Sequence, residues 1–169
     1  KIIYNFQKIN VADYFADCVG DIRLELDELN YVLEYDSSVS QKTCIIADPE
    51  QMKRVINNIV GNSIKYMEKK DGVISFVIKE DEDNVYFDIK DNGAGISENN
   101  LPYVFDRFYR GDVSRNSKKG GSGIGLSIVK KIVSDHGGEV GAESVEGEGT
   151  TIKIVMKKED KSNEKSFDN

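Results

Sequence analysis

Residues 73–96 read VISFVIKEDEDNVYFDIKDNGAGI, and this stretch decides the architecture. Val73–Lys79 and Asn84–Lys90 alternate apolar and polar residues at the period of two that lets a strand bury one face. The acidic segment Glu80–Asp83 lies between them as a turn, so the two runs predict a hairpin. The second run passes directly into Asp91-Asn92-Gly93-Ala94-Gly95-Ile96. Gly93 and Gly95 permit positive φ and leave no side chain between backbone and ligand. Asp91, at the strand end, can accept a hydrogen bond from an amino group. An ordinary turn would use the same residues.

Upstream of the hairpin, residues 11–29 place Val11, Tyr14, Phe15, Cys18, Val19, Ile22, Leu26 and Leu29 on one helical stripe. Short β-type runs follow at Tyr31–Tyr35 and Thr43–Ala47. Asp48-Pro49-Glu50 then reads as a helix start, with an Asp N-cap, Pro in the first turn and an acid beside it, and that helix runs to about Tyr66. Downstream, Asp91–Ser122 is a long loop broken by Asn100–Tyr109, a length that marks functional or disordered chain. A helix fits Gly123–His136, ended by Gly137-Gly138, and strands fit Glu139–Ser144 and Thr150–Met156. The order predicts an α/β fold: a two-layer sandwich with one mixed β-sheet covered on one face by three helices. There is no internal repeat.

Composition sets the outer limits. At 169 residues the chain suits one domain of the usual ~150 residues with a tail. A hydrophobic fraction of 38% excludes wholesale disorder, and no apolar run is long enough for a transmembrane helix. The net charge of −7, with a pI near 4.9, disfavours a nucleic-acid partner. Cys18 and Cys44 are too few for a disulfide framework or a zinc motif, and both read as buried thiols. Residues after Lys157 are highly charged and read as a disordered tail over 158–169. The chain begins with Lys1 rather than Met, which points to a piece of a longer protein.

Three further features bear on chemistry. On the helix 48–66 the core stripe is Met52, Ile56, Ile59, Ser63 and Met67, and Asn58, Asn62 and Lys65 form a polar stripe beside it. Mid-helix Asn is a poor helix former, so the pair is either a solvated face or a hard-oxygen site for Mg²⁺ and phosphate. Gly121-Ser122-Gly123-Ile124-Gly125-Leu126 opens a helix, where free N–H groups can meet phosphate oxygens. It is neither a Rossmann fingerprint nor a Walker loop, and the protein-kinase His-Arg-Asp signature is missing. Arg110–Ser122 carries Arg110, Arg115, Lys118 and Lys119 against Asp112, which suits a basic lid over a polyphosphate as well as a solvated loop. His136 sits in a last helical turn, where an imidazole suits the helix dipole, and reads as structural.

The order and spacing of these motifs resemble the ATP-binding catalytic domain of two-component sensor histidine kinases. Asn58-x-x-x-Asn62-x-x-Lys65-Tyr66 resembles their N box, and Asp91-Asn92-Gly93-Ala94-Gly95 resembles the G1 box. Phe105-Asp106-Arg107-Phe108-Tyr109-Arg110 is similar to the F box, Gly121–Leu126 to the G2 box and Gly147-Glu148-Gly149-Thr150-Thr151 to the G3 box. The match covers roughly residues 8–157. It departs from the usual pattern at Ser63, where Ala is usual, and at Ile124, where Leu is usual.

The resemblance implies the Bergerat ATP-binding fold, with ATP and Mg²⁺ as cofactors. Asn62, with Asn58 nearby, would ligate the metal; Lys65 and Arg110 would serve the phosphates in catalysis. Asp91 would accept from the adenine amino group, with Gly93 and Gly95 beside it and Tyr66 and Ile96 along the ring. Gly121, Gly123, Ile124, Gly125, Leu126 and Thr150 would complete the nucleotide site, and the segment before the G2 box would be the ATP lid. No phosphoacceptor motif is present, since His136 is followed by Gly137-Gly138. The expected function is donation of the γ-phosphoryl group to a His on an absent dimerisation domain. Residues 1–7 would then be the remnant of that connection and 8–157 the catalytic domain. The implied partners are that domain and a response-regulator receiver domain, with a homodimeric parent and a monomeric fragment. The domain would be cytoplasmic and its parent membrane-anchored. The alternatives are an anti-sigma-type serine kinase of the same fold and a non-catalytic nucleotide-binding module.

Overall fold

The computed structural model describes residues 1–107, 109 and 125–160. Its elements run β1 (Gln7–Asn10), α1 (Val11–Glu28), β2 (Val32–Ser37), β3 (Cys44–Ala47), α2 (Pro49–Lys65), β4 (Val73–Glu80), β5 (Asn84–Asp91), a 3₁₀ turn (Leu101–Tyr103), α3 (Gly125–Asp135), β6 (Glu139–Val145) and β7 (Gly149–Lys157).

The hairpin expected at the centre is β4–β5, antiparallel, with Phe76 opposite Ile89 and Ile78 opposite Phe87. β2 pairs parallel to β4, which is possible because β3 and α2 supply the crossover. The five-stranded order is β2-β4-β5-β7-β6, so the last strand lies inside the sheet. Inward side chains repeat every second residue: Ile74, Phe76 and Ile78; Val85, Phe87 and Ile89; Ile152, Ile154 and Met156 are all buried. Phe15 of α1 packs its ring against Phe76 and Phe87 at centroid distances of 6.0 and 4.7 Å. Burying such a side chain contributes about 1.5–3 kcal/mol. The outward face carries Lys79, Lys90 and Lys153, all exposed.

One expectation needs correction. Thr43–Ala47 does not join the main sheet. β3 pairs antiparallel with β1 in a separate two-stranded sheet, Ile9 opposite Ile45 and Gln7 opposite Ala47. The polar run Gln7–Asn10 carries no alternating signal; only its partner makes it a strand. The composition of the tail also misled over its first residues. Lys158 N–H donates to Asp83 O at 2.9 Å and Glu159 N–H to Cys44 O at 2.8 Å. The Lys158 ammonium meets Glu80 at 2.6 Å and Lys8 meets Glu159 at 3.3 Å. Residues 161–169 lie outside the described residues. Cys18 is buried as expected, whereas Cys44 is only half-buried; both are free thiols.

The helix signals hold locally. Asn10 caps α1, its side chain accepting from Asp13 N–H at 3.0 Å. Asp48 caps α2, Oδ1 accepting from Glu50 and Gln51 N–H at 3.0 and 3.2 Å. Burial pushes the Asp48 carboxyl up, but these bonds and one from Asn5 N–H outweigh it and hold it below its ordinary value. Gly137, at φ +78°, closes α3, with Gly138 N–H returning to Val133 O at 3.0 Å.

Candidate functional site

Period-two geometry puts Asp91 on the inner face of the sheet at its very end. It lies opposite Ile74 on one side and Thr150 on the other, and Thr150 in turn faces Ser144. Three polar residues thus continue a row that is apolar everywhere else. Asp91 is 8% exposed, and a charge that deep needs partners. It has three. Ser63 Oγ of α2 donates to Oδ2 at 2.7 Å. Gly93 N–H donates to Oδ1 at 2.9 Å and Thr150 N–H to the same oxygen at 3.3 Å.

Gly93 and Gly95 let main chains touch here. A Cβ on Gly93 would stand 2.9 Å from the carbonyl oxygen of Tyr66. Gly95, at φ +72°, lies against the Val145 carbonyl, where no side chain fits. Ala94 N–H donates to Tyr66 O at 3.0 Å, and Gly147 N–H donates to Ala94 O at 2.7 Å. Ser144 Oγ accepts from Ile96 N–H at 2.7 Å, lies 2.8 Å from Thr150 Oγ1 and donates to Gly149 O at 2.9 Å. The end of α2, the loop 91–96 and the β6–β7 turn therefore form one cradle around the carboxylate.

Asn58, Asn62, Lys65 and Tyr66 lie along one edge of α2, all half-buried. Asn58 Nδ2 makes a long 3.5 Å contact with Gly125 O at the start of α3. The Lys65 ammonium sits 5.3 Å from the centre of the Tyr66 ring. Ile96 is half-buried against the core, as are Phe105 and Tyr109. Burial, with Tyr66 nearby, pushes the Tyr109 hydroxyl up from its ordinary value. Leu126 is buried in the core beside Gly125. Arg110, Gly121, Gly123 and Ile124 fall outside the described residues, as do Arg115, Lys118 and Lys119 of the expected lid.

Two residues of the cradle were missed as site residues in the sequence. Ser63 looked like part of the core stripe, and Ser144 like an ordinary strand residue. Their signal is register: both become significant once Asp91 is placed opposite Thr150. His136 is structural, though by a route the helix dipole does not describe. Its Nδ1 is 2.7 Å from Ile132 O, and its Nε2 accepts from Asp48 N–H at 3.0 Å, so both nitrogens are engaged. Tyr4 and Phe6 pack against it edge-on at 5.3 and 4.9 Å.

The chain is thus an α/β sandwich with a buried carboxylate held in a largely backbone cradle at its strand ends. Residues 47–160 match the family described as histidine kinase-, DNA gyrase B-, and HSP90-like ATPase, and the chain belongs to that family. It is 42% identical over 110 residues to the sensor histidine kinase WalK of Bacillus subtilis (strain 168), and 43% identical over 111 residues to the sensor protein kinase WalK of Staphylococcus aureus. Each alignment covers 64% of this chain but only 18% and 26% of those proteins, so the chain spans about a fifth to a quarter of the curated relatives it matches. A mycobacterial sensor histidine kinase, MprB, shares the fold at a TM-score of 0.76 and 24% identity, over 90% of this chain and 98% of that one. The nucleotide-free catalytic domain of histidine kinase ThkA does so at 0.76 and 22% identity, over 90% and 97%. Among the described residues no helix is long and apolar enough to cross a membrane.

Proposed function

We propose that this domain binds Mg-ATP and donates its γ-phosphoryl group to a histidine carried by a separate dimerisation domain of a longer sensor kinase. A response-regulator receiver domain is the onward acceptor, and the parent is a membrane-anchored homodimer with this domain in the cytoplasm. Residues 1–7 serve as the link to the dimerisation domain. The observation that carries the reading is the Asp91 carboxylate, buried and already held by three donors at the edge of α2 that bears Asn62 and Lys65. An amino group of adenine completes that carboxylate, whereas guanine presents an acceptor oxygen at the same place.

Magnesium fits the donor chemistry of this edge. The carboxamide oxygens of Asn58 and Asn62 are hard ligands, and Asn62 makes no side-chain hydrogen bond among the described residues that would occupy its oxygen. Among those residues no cluster of three or more His, Cys, Asp or Glu side chains could hold a metal. Asn58 and Asn62 would hold the cation, which would take its further ligands from phosphate and water. Bound, it neutralises the charge of the transferring phosphoryl group, and Lys65 and Arg110 add to that neutralisation. Asp91 orients the base, and the cradle excludes water behind it.

His136 is a poor acceptor, because both ring nitrogens are engaged within the fold. Incubation with γ-labelled ATP is expected to leave the domain unlabelled alone and to place acid-labile label on an added dimerisation domain. Acid-labile label on His136 would overturn the division into donor and acceptor. Acid-stable label on an added protein substrate would favour a serine kinase.

A further inference from the structure

We infer that Ser63 is a positioning residue for base selection, acting through Asp91; the inference rests on the reading of Asp91 as the adenine acceptor. A carboxylate offers about four lone-pair positions, two on each oxygen. Oδ1 has both positions filled, by the N–H groups of Gly93 and Thr150. Oδ2 has one filled, by the Ser63 hydroxyl at 2.7 Å. Among the described residues one position is left, and one amino hydrogen would fill it.

The three donors come from three separate parts of the chain: the loop after β5, the start of β7 and the interior of α2. The two N–H groups fix only Oδ1. The Ser63 bond is the one that fixes Oδ2, the oxygen that remains available. Ser63 is itself 5% exposed on a rigid helix, so its hydroxyl sits in a fixed place. Without it, Oδ2 has two open positions among the described residues, and the carboxyl plane can turn to accept from water beside the base. A base lacking the amino group then loses less by comparison. Ser63 thereby narrows the choice of purine without touching it.

The test uses the full 169-residue chain and titration calorimetry with two probes, ATP and purine riboside 5′-triphosphate, which lacks the 6-amino group. In the parent sequence ATP binds more tightly. In Ser63→Ala the ratio of the two dissociation constants is expected to shrink roughly three- to tenfold, the size of one typical intramolecular hydrogen bond. Ser63→Thr, which keeps the hydroxyl, is expected to retain the ratio. If both nucleotides weaken equally in Ser63→Ala while the parent still discriminates, Ser63 is merely structural and the inference fails alone. If the parent sequence binds the two equally, the adenine role of Asp91 fails first.

Discussion

Ser63 and Asn62 are neighbours on α2, yet the groups they serve are in opposite conditions. On the Ser63 side, Asp91 is buried with three hydrogen bonds made, and the loop 91–96 is pinned to β6 and the β6–β7 turn by the Gly147 N–H to Ala94 O bond and by Ser144 Oγ accepting from Ile96 N–H. On the Asn62 side, the polar edge is half-buried and Asn58 makes only a long contact to Gly125. On the proposed reading the Asp91 side is the base end, organised before any ligand arrives, and little ordering entropy remains to be lost there. On the proposed reading the Asn62 side is the phosphate end, where a ligand would meet the carboxamides of Asn58 and Asn62. Affinity should therefore come mainly from the finished half, and metal dependence from the other.

The contrast is broken most severely at Asp91. Asp91→Asn puts an amide N–H where an acceptor is needed, and ATP affinity is expected to fall by about 1–3 kcal/mol in calorimetry. An unchanged affinity would remove Asp91 from base recognition. Gly95→Ala attacks the frame instead. A side chain at φ +72° against the Val145 carbonyl is expected to cost about 1–3 kcal/mol of stability, with a lower Tm and weaker ATP binding together. If Tm is unmoved, the loop is looser than its hydrogen bonds imply.

Asn62→Ala sharpens the comparison from the other side. Its loss in ATP affinity, about 1 kcal/mol with Mg²⁺ present, is expected to vanish in chelator, and Tm should stay put. Equal losses in both conditions would leave Asn62 without a metal role. The smallest effect on binding is expected at Asp48, remote from the cradle. Asp48→Ala should cost about 0.5–2 kcal/mol of stability through the lost helix cap, with ATP affinity unchanged. Because the Asp48 carboxyl is held below its ordinary value, its contribution is full above about pH 4 and is lost as pH falls through its lowered folded pKa. Denaturation midpoints of the two proteins should separate at neutral pH and converge well below pH 4.

How much of this was legible beforehand depended on range. The hairpin β4–β5, the Asp48 cap and the Gly137 stop are written in a few adjacent residues, and each forms where its signal lies. Gln7–Asn10 carries no such signal, since its strand exists only through Cys44–Ala47 far along the chain. The same holds for the site. Asp91 and Asn62 stand out from local pattern, whereas Ser63 and Ser144 gain meaning only from the register that sets Thr150 beside Asp91. Lys158 and Glu159 looked like tail because composition ignores the partners, Glu80 and Cys44, that hold them.

The place of β7 between β5 and β6 has a consequence for synthesis on the ribosome. Residues 149–157 leave last among the strands, yet they must enter between two strands already made. Until then β5 has one bare edge, and Val85, Phe87 and Ile89 lack Ile152, Ile154 and Met156 beside them. Emergence of the nascent chain up to Val145 thus leaves a half-sheet with an open, adhesive margin. Thr150 N–H reaches Asp91 only at that closing step. Competence to hold a nucleotide is then acquired in one late event, and a chain stalled before residue 150 should be recognised by chaperones rather than by ATP.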